Sequence, residues 1–178
     1  EFYDLLDSLG RLDTYTKLSM NDYKALQDAD VVITAFGDIK ALADGGNRFL
    51  EYSFNCQQAK QVGTALKEAG FHGVLINISN PCDVITGLLQ HYTGLSRQQV
   101  FGTGTFLDTA RMQRAVSMSL DQNPHNIAGY VLGEHGESQF AAWSTITVQG
   151  EPITEIAKDQ HLELSELDKA ARGGGWLV

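Results

Sequence analysis

Three residues with acid–base or anion-binding side chains occur in two short segments of the chain. Asp108 and Arg111 stand three positions apart in a stretch with helical periodicity, so they share one face of the predicted helix. His135 lies between Gly133 and Gly136, a pattern typical of a tight turn. Histidine is the side chain best suited to give and take a proton near neutral pH, and a guanidinium binds a carboxylate through two parallel hydrogen bonds. These residue types suit proton transfer on an anionic substrate.

Neither segment is specific when it is considered alone. Spacing by itself favours a structural interpretation, in which Thr105 caps the helix, Asp108 completes a capping box and Arg111 is a surface ion-pair residue. A turn histidine without a chemical role is likewise the more frequent case. The glycines of the segment at 102–111 do not form a dinucleotide-binding fingerprint, because its third glycine is absent.

Two further segments place polar side chains where predicted strands end. In the first, Ser79-Asn80-Pro81, the turn formers either simply end the strand or aim the Asn80 amide at a ligand above the sheet. The second runs from Gly37 to Arg48 and is longer than a usual connection between a strand and a helix. This length is consistent with a mobile lid, and an ordinary surface loop with Arg48 in the first helical turn stays open as the alternative. In open α/β sheets ligands bind where strands end, so all these segments are candidates for a site.

The elements that must position these segments alternate between short apolar runs and longer amphipathic stretches, which is the pattern of an α/β protein. We predict strands at 30–36 (a buried parallel strand), 73–79 and 100–102, and helices at 48–69, 82–92 and 105–120. Shorter helices are predicted at 2–12, 21–27 and 162–172, and strands at 130–132 and 143–148 joined through the turn of His135. The pattern places a parallel sheet with helices in residues 1–123 and a region with antiparallel strands in residues 124–178, with the boundary near Asn123–Pro124.

Composition limits the class of protein. The chain has 178 residues, of which 43% are hydrophobic and 20% charged, as in a globular protein. No apolar run is long enough to cross a bilayer and no signal-like core opens the chain, so we expect a cytoplasmic location and no membrane partner. The two cysteines, Cys56 and Cys82, lack paired spacing, which argues against a disulfide framework and a zinc site; no metal is predicted.

The formal net charge of −9 argues against non-specific nucleic-acid binding, which needs a basic face. An anionic small molecule is not excluded by this charge. Because the overall field repels such a ligand, a local cluster of hydrogen-bond donors must hold it.

Together, and in this order along the chain, the segments resemble the L-lactate/malate dehydrogenase family. The stretches with the closest likeness are NPCDVIT, GTGTFLDTARM and LGEHGESQFAAWS, and the resemblance extends over essentially the whole chain. FHGVLINISNP and HYTG look most like the L-2-hydroxyisocaproate dehydrogenase branch. The resemblance implies an oxidoreductase that interconverts an L-2-hydroxy acid and its 2-oxo acid with NAD. It also implies that residues 1–123 are a partial dinucleotide-binding domain with a partial Rossmann-type parallel sheet, and that residues 124–178 are part of an α+β domain that binds the substrate. At full length the resemblance implies a homo-oligomer, tetramer or dimer.

The resemblance implies a role for each matching catalytic position. His135 is expected to donate and accept the proton, and Asp108 to orient His135 and stabilise its charged form. Arg111 is expected to bind the substrate carboxylate through its planar fork, which a lysine cannot reproduce. Arg48, on the lid, is expected to contact the substrate and polarise its carbonyl.

A cofactor site is implied only in part. Asn80 is expected to hydrogen-bond near the substrate oxygen and, with Gly37, to contact the NAD. The family's first strand, glycine-rich turn, first helix and acidic ribose-binding residue do not stand before Glu1 in this sequence, and its final helices do not follow Val178. We therefore expect residues 1–178 alone to be inactive, and the preference between NAD and NADP stays open because the acidic residue decides it.

Two alternatives to this interpretation stay open. A malate dehydrogenase would be expected to have a second arginine early in the lid, but the lid GDIKALADGGNR contains Lys40 and Arg48 only. This favours a monocarboxylic acid with an apolar side chain, with which an apolar wall at 41–43 would be consistent. The other alternative is a non-catalytic, truncated remnant of the family. The missing ends favour a remnant, and the intact catalytic set disfavours it.

Overall fold

The computed structural model describes residues 19–38, 49–136 and 138–173, and the chain divides into two compact units, Glu1–Phe101 and Gly102–Val178. The helix predicted at 2–12 and the lid residues 39–48, which include Arg48, lie outside the described residues.

The first unit is built on a three-stranded sheet of order β1-β2-β3. Its strands are β1 (Val31–Thr34), β2 (Val74–Asn77) and β3 (Val100–Gly102). β1 and β2 run parallel, with Val31 opposite Val74 and Thr34 opposite Asn77. Helices α1 (Phe49–Ala69) and α2 (Cys82–Thr93) pack against each other. The predicted parallel sheet with helices is confirmed.

The core of this unit forms where the apolar faces of the two helices meet the central strand. α1 contributes Ala59 and Leu66, α2 contributes Ile85 and Leu89, and β2 contributes Leu75, all with no exposed surface. Burying each of the larger side chains stabilises the fold by about 1.5–3 kcal/mol relative to exposure. The apolar residues that predicted the long helix recur at three- and four-residue steps, and they mark only part of the buried face of α1. Ala59 and Leu66 are buried as this spacing predicts, whereas Tyr52 is 41% exposed and the polar Asn55 is buried instead.

β1 is half exposed, and the prediction of a buried strand is wrong for one of its faces. Val31 is 51% and Ile33 60% exposed, whereas Thr34 is buried. Alternate residues of a strand point to opposite faces, so a continuous apolar run does not show that both faces are covered. The helix predicted at 21–27 is instead a 3-10 helix at Tyr23–Asp28, capped by the Asp22 side chain.

The second unit combines helices with short antiparallel strands. Its helices are α3 (Phe106–Leu120), α4 (Ile153–Asp159) and α5 (Leu164–Gly173). β4 (Ile127–Ala128) pairs with β7 (Thr147–Val148), which pairs with β8 (Glu151–Pro152). β5 (Val131–Leu132) pairs with β6 (Phe140–Ala141). α4 was not predicted, because seven residues are too few to show a helical period.

The boundary between the two compact units lies earlier in the chain than the sequence pattern predicts, because α3 packs against α5. The two helices contact each other, and Met112, Ile153 and Leu167 lie in one buried cluster. α3 therefore belongs to the second compact unit. The division falls between residues 101 and 102, ahead of the boundary predicted near 123–124.

The strand predicted at 143–148 is interrupted. Residues Trp143–Thr145 form a 3-10 turn, in which both the backbone N–H and the hydroxyl of Thr145 donate to the carbonyl of Ala142. Such local side-chain bonds compete with strand pairing, and the β-branched composition does not reveal them. The remaining strand, β7, pairs with β4 and β8, and the turn of His135 joins β5 to β6.

Candidate active site

Asp108 on α3 and His135 in the β5–β6 turn lie in direct contact, although they are 27 positions apart in the chain. A carboxylate oxygen, Oδ2, is 2.6 Å from His135 Nδ1, and Asp108 is only 3% exposed. A carboxylate accepts hydrogen bonds and does not donate, so Nδ1 is the nitrogen that bears the hydrogen. Nε2 is then the ring atom that can give or take a proton.

Arg111 lies on the same face of α3, one turn after Asp108. Its Nη1 is 3.4 Å from Asp108 Oδ1, which is a long contact, and its side chain is 25% exposed. Within the described ranges this is the only polar contact of the guanidinium, so its other N–H donors can bind an anion. The site thus gathers two groups able to hold positive charge around one buried carboxylate, in a chain whose net charge is −9.

Thr105 and Asp108 do not form the capping box that their spacing allows. Thr105 stands at the N-cap of α3, but its side chain makes no capping hydrogen bond. Its hydroxyl donates instead to the carbonyl oxygen of Val131, at 2.7 Å. Both polar side chains are therefore directed at the β5–β6 segment of His135. The capping box favoured by spacing alone is not formed, whereas the ion pair of Arg111 that the same interpretation included is present, with Asp108 as its partner.

The turn that presents His135 depends on a glycine. Gly133 has a φ of +91°, and a Cβ placed there would lie 3.1 Å from the carbonyl oxygen of Ser138. Across the turn the hydroxyl of Ser138 donates to Glu134 Oε2 at 2.8 Å. The backbone of this turn is thus held on both sides of the histidine.

A contact from α5 holds the far end of the same turn. Arg172 donates to the carbonyl oxygen of Gln139, and its Nε is 2.7 Å from Asp168 Oδ2. Sequence reasoning did not identify Arg172. Its spacing of four residues from Asp168 is that of an ordinary ion pair within a helix and carries no signal for a contact with the turn.

Gly37 and Asn80 lie in the first unit, after the parallel strands β1 and β2, and thus on the side of the sheet where both strands end. Asn55 of α1 donates from Nδ2 to the Asn80 carbonyl oxygen at 2.6 Å and is 1% exposed. Two buried atoms of this region, Asn55 Oδ1 and Ser79 Oγ, have no hydrogen-bond partner among the described residues. Asn55 was missed, although an asparagine within a helix is a signal for a tertiary hydrogen bond.

Asn77, the last residue of β2, shapes the turn that presents Asn80, and sequence reasoning also missed it. It is fully buried, and its Oδ1 accepts from the Thr34 hydroxyl at 3.1 Å and from the Ser79 N–H at 3.0 Å. Its Nδ2 donates to the Thr86 hydroxyl at 3.1 Å. An asparagine inside an apolar strand must be satisfied in this way, because an unpaired buried amide is costly.

The described ranges contain no cluster of three or more His, Cys, Asp or Glu side chains arranged to hold a metal ion. They also contain no helix long and apolar enough to cross a membrane.

The two units match the two domain models of one enzyme family. Residues 1–102 match the NAD binding domain of lactate/malate dehydrogenase, and residues 105–175 match its alpha/beta C-terminal domain. The chain belongs to the lactate/malate dehydrogenase family. The catalytic pair predicted from the sequence lies wholly in the part that matches the C-terminal domain of this family.

Individual members of the lactate/malate dehydrogenase family are similar over almost all of the chain. The L-lactate dehydrogenase of Mycoplasma capricolum subsp. capricolum is 36% identical over 93% of it, and L-lactate dehydrogenase 3 of Bacillus cereus is 36% identical over 100% of it. The ligand-bound crystal structure of the minor L-lactate dehydrogenase from Enterococcus mundtii covers 99% of the chain at 32% identity, with a TM-score of 0.89. The chain spans only about half of these proteins: 52%, 57% and 57% of their lengths.

Alanine substitutions at the two glycines that flank His135 test this account of the turn, because only Gly133 has a positive φ. Gly133→Ala should lower the free energy of unfolding by about 1–3 kcal/mol, because a residue with a Cβ is strained at this positive φ. Gly136→Ala should change it by less than about 0.5 kcal/mol, because the nearest atoms to a Cβ there belong to the Glu134 side chain, 3.7 Å away. Urea unfolding followed by circular dichroism measures both. Equal losses for the two variants would contradict this account of the turn.

Proposed function

We propose that the protein containing this chain is an NAD-dependent L-2-hydroxyacid dehydrogenase of the lactate dehydrogenase type, which interconverts an L-2-hydroxy acid and its 2-oxo acid. The observation that supports this most directly is the 2.6 Å contact between Asp108 and His135. It prepares one ring nitrogen for proton transfer, which this reaction requires. The names of the similar L-lactate dehydrogenases support the same class of substrate.

Residues at the ends of β1 and β2 fit part of a nicotinamide dinucleotide. Sheets of this type bind dinucleotides where parallel strands end. The Asn80 amide can both donate and accept, and the buried unpaired atoms Asn55 Oδ1 and Ser79 Oγ show that polar groups are concentrated beside it. Gly37, which lacks a Cβ, allows close approach to the backbone. NAD, when bound, supplies the hydride, and Gly37 and Asn80 are the proposed contacts.

Proton transfer is the proposed task of the catalytic pair. When a 2-oxo acid is reduced, negative charge grows on its carbonyl oxygen and a proton must reach that oxygen. His135 donates this proton from Nε2, while the Asp108 carboxylate stabilises the cationic ring and fixes its orientation. Because Asp108 is buried, water competes little for its charge, and its attraction to the ring is stronger than it would be in solvent.

Substrate binding is the proposed task of the arginines. Arg111 binds the substrate carboxylate with donors that its long contact to Asp108 leaves unused. Arg48 lies outside the described residues, and the family resemblance assigns it the polarisation of the substrate carbonyl.

The sequence of the lid supports a finer assignment of the substrate. With Lys40 and Arg48 as its only cationic residues, the lid has no second guanidinium for a distal carboxylate. We therefore propose a monocarboxylic substrate with an apolar side chain, from lactate-like to the branched chain of L-2-hydroxyisocaproate. We also propose a homo-oligomer, tetramer or dimer, located in the cytosol.

Removal of the charge on Asp108 tests the proposed pair. Asp108→Asn should lower kcat/KM for 2-oxo acid reduction by about a hundredfold or more, because a neutral amide does not stabilise the cationic ring. The assay uses the completed protein, meaning this chain with the flanking segments restored from its coding sequence. Asp121→Asn is the matched control, since it removes the same charge at the exposed end of α3, where Asp121 has a φ of 50° that asparagine tolerates. Full activity of Asp108→Asn would refute the proposal.

The carboxylate clamp is tested at Arg111. Arg111→Lys should cost about 2–3 kcal/mol of transition-state binding, mainly through a higher KM, because the lost contact is made in the ground state as well. Arg114→Lys, at an exposed position of the same helix, should leave the kinetics of the completed protein unchanged. An unchanged specificity constant for Arg111→Lys would exclude Arg111 as the clamp.

A substrate panel tests the finer assignment. The completed protein should reduce pyruvate or 2-oxoisocaproate with a kcat/KM at least about a hundredfold above that for oxaloacetate, because the distal carboxylate of oxaloacetate would be desolvated without a partner. All three are compared at one pH and one NADH concentration. A preference for oxaloacetate would favour malate dehydrogenase, and no turnover of any of them would favour the non-catalytic remnant.

A further inference from the structure

We propose that Thr105 at the N-cap of α3, together with Thr109 and Gln113 within α3, forms a polar ladder that positions His135 against Asp108. The inference rests on the proposed function of that pair and goes beyond it, because it assigns a positioning role to three residues that do not contact the reacting atoms.

The ladder consists of three side chains spaced four residues apart, and therefore on one face of α3. The hydroxyl of Thr105 donates to the Val131 carbonyl oxygen at 2.7 Å, and Thr109 Oγ1 accepts from the Val131 N–H at 3.0 Å. Gln113 donates from Nε2 to the Ile127 carbonyl oxygen at 3.1 Å. Every contact is made to backbone, so the ladder fixes the path of the segment at 127–131 and not merely a side-chain conformation.

Val131 is the central point of this attachment. It is 4% exposed, and it lies opposite Ala141 in the β5–β6 pair. Both of its backbone polar groups bind threonines of α3, so the helix side chains take the place that a third strand would occupy. Thr109 is itself 8% exposed, which means that water replaces these bonds poorly if a threonine hydroxyl is removed.

Each member of the catalytic pair lies close in sequence to a residue that the ladder holds. Asp108 directly precedes Thr109, and His135 follows Val131 by one short turn. A shift of β5 along α3 would therefore change the Asp108–His135 distance directly. Apolar packing around Met112 and Ile127 is non-directional and tolerates small shifts, whereas hydrogen bonds depend steeply on distance and angle. The ladder thus fixes the position of β5 along α3 and, with it, the distance between Asp108 and His135.

The test compares Thr109→Val, which keeps the shape of the side chain, with Thr109→Ser, which keeps the hydroxyl. In the completed protein, Thr109→Val should lower kcat for 2-oxo acid reduction by about tenfold to a hundredfold, because misplacement of a catalytic group is costly, and should leave KM within about twofold. Thr109→Ser should restore kcat to within about threefold of the parent. Thr93→Val is the control, since the hydroxyl of that buried threonine bonds only nearby backbone of the first unit among the described residues. It donates to the Leu89 and Gln90 carbonyl oxygens at 2.7 and 3.3 Å and accepts from the Leu95 N–H at 3.3 Å. If Thr109→Val does not fold, Thr105→Val with Thr105→Ser gives the same comparison.

A double-mutant cycle separates positioning from general stabilisation. If Thr109 acts through the pair, adding Thr109→Val to Asp108→Asn should reduce kcat by less than about twofold more, whereas independent effects multiply. Parent-like kcat in Thr109→Val, or a full multiplicative loss in the double variant, would overturn the ladder and leave the proposed function intact. Full activity in Asp108→Asn alone would overturn the proposed function, and the ladder with it.

Discussion

The burial of one carboxylate is the constraint on which the site depends. Asp108 is 3% exposed, and a buried charge of this kind costs several kcal/mol unless it is paired and hydrogen-bonded. His135 at 2.6 Å and Arg111 at 3.4 Å supply the pairing. The same contacts leave His135 Nε2 and most of the Arg111 donors for a ligand. The arrangement that stabilises the buried carboxylate is therefore the same one that leaves these groups available to a ligand.

In the second unit, the position of His135 beside Asp108 depends on contacts to backbone groups and on the backbone conformation of the turn. Thr105 and Thr109 bind both polar groups of Val131, the positive φ of Gly133 turns the chain, and Arg172 holds the far side of the turn. The first unit uses the same principle around Asn77, whose buried amide organises the turn before Asn80. In both units, hydrogen bonds from buried polar side chains fix the position of the loop that follows a short strand. Apolar packing alone would restrict that position less.

Much of the fold was predictable because its signals are local. The apolar spacing of α1 and the run of β2 placed both elements to within a few residues. The sequence pattern misled at three places, each for its own reason. The apolar run of β1 does not reveal that one face of the strand is exposed, local hydrogen bonds interrupt the predicted strand at Trp143–Thr145, and α4 is too short to show a helical period. Residue type and family resemblance identified the candidate residues Asp108, Arg111 and His135. Sequence analysis missed Asn55, Asn77 and Thr109, because the local sequence does not indicate which distant groups they hydrogen-bond.

The sequence by itself determined the family and the parallel sheet and named the candidate acid–base residues, since these follow from periodicity, residue chemistry and characteristic stretches of the chain. It did not determine whether Asp108 caps its own helix or binds the histidine, and spacing alone favoured the cap. Only the tertiary structure decided this, because the competing partner is 27 positions away. The choice depends on the burial of the carboxylate and on the path of β5 along α3, two properties that exist only once the chain is folded.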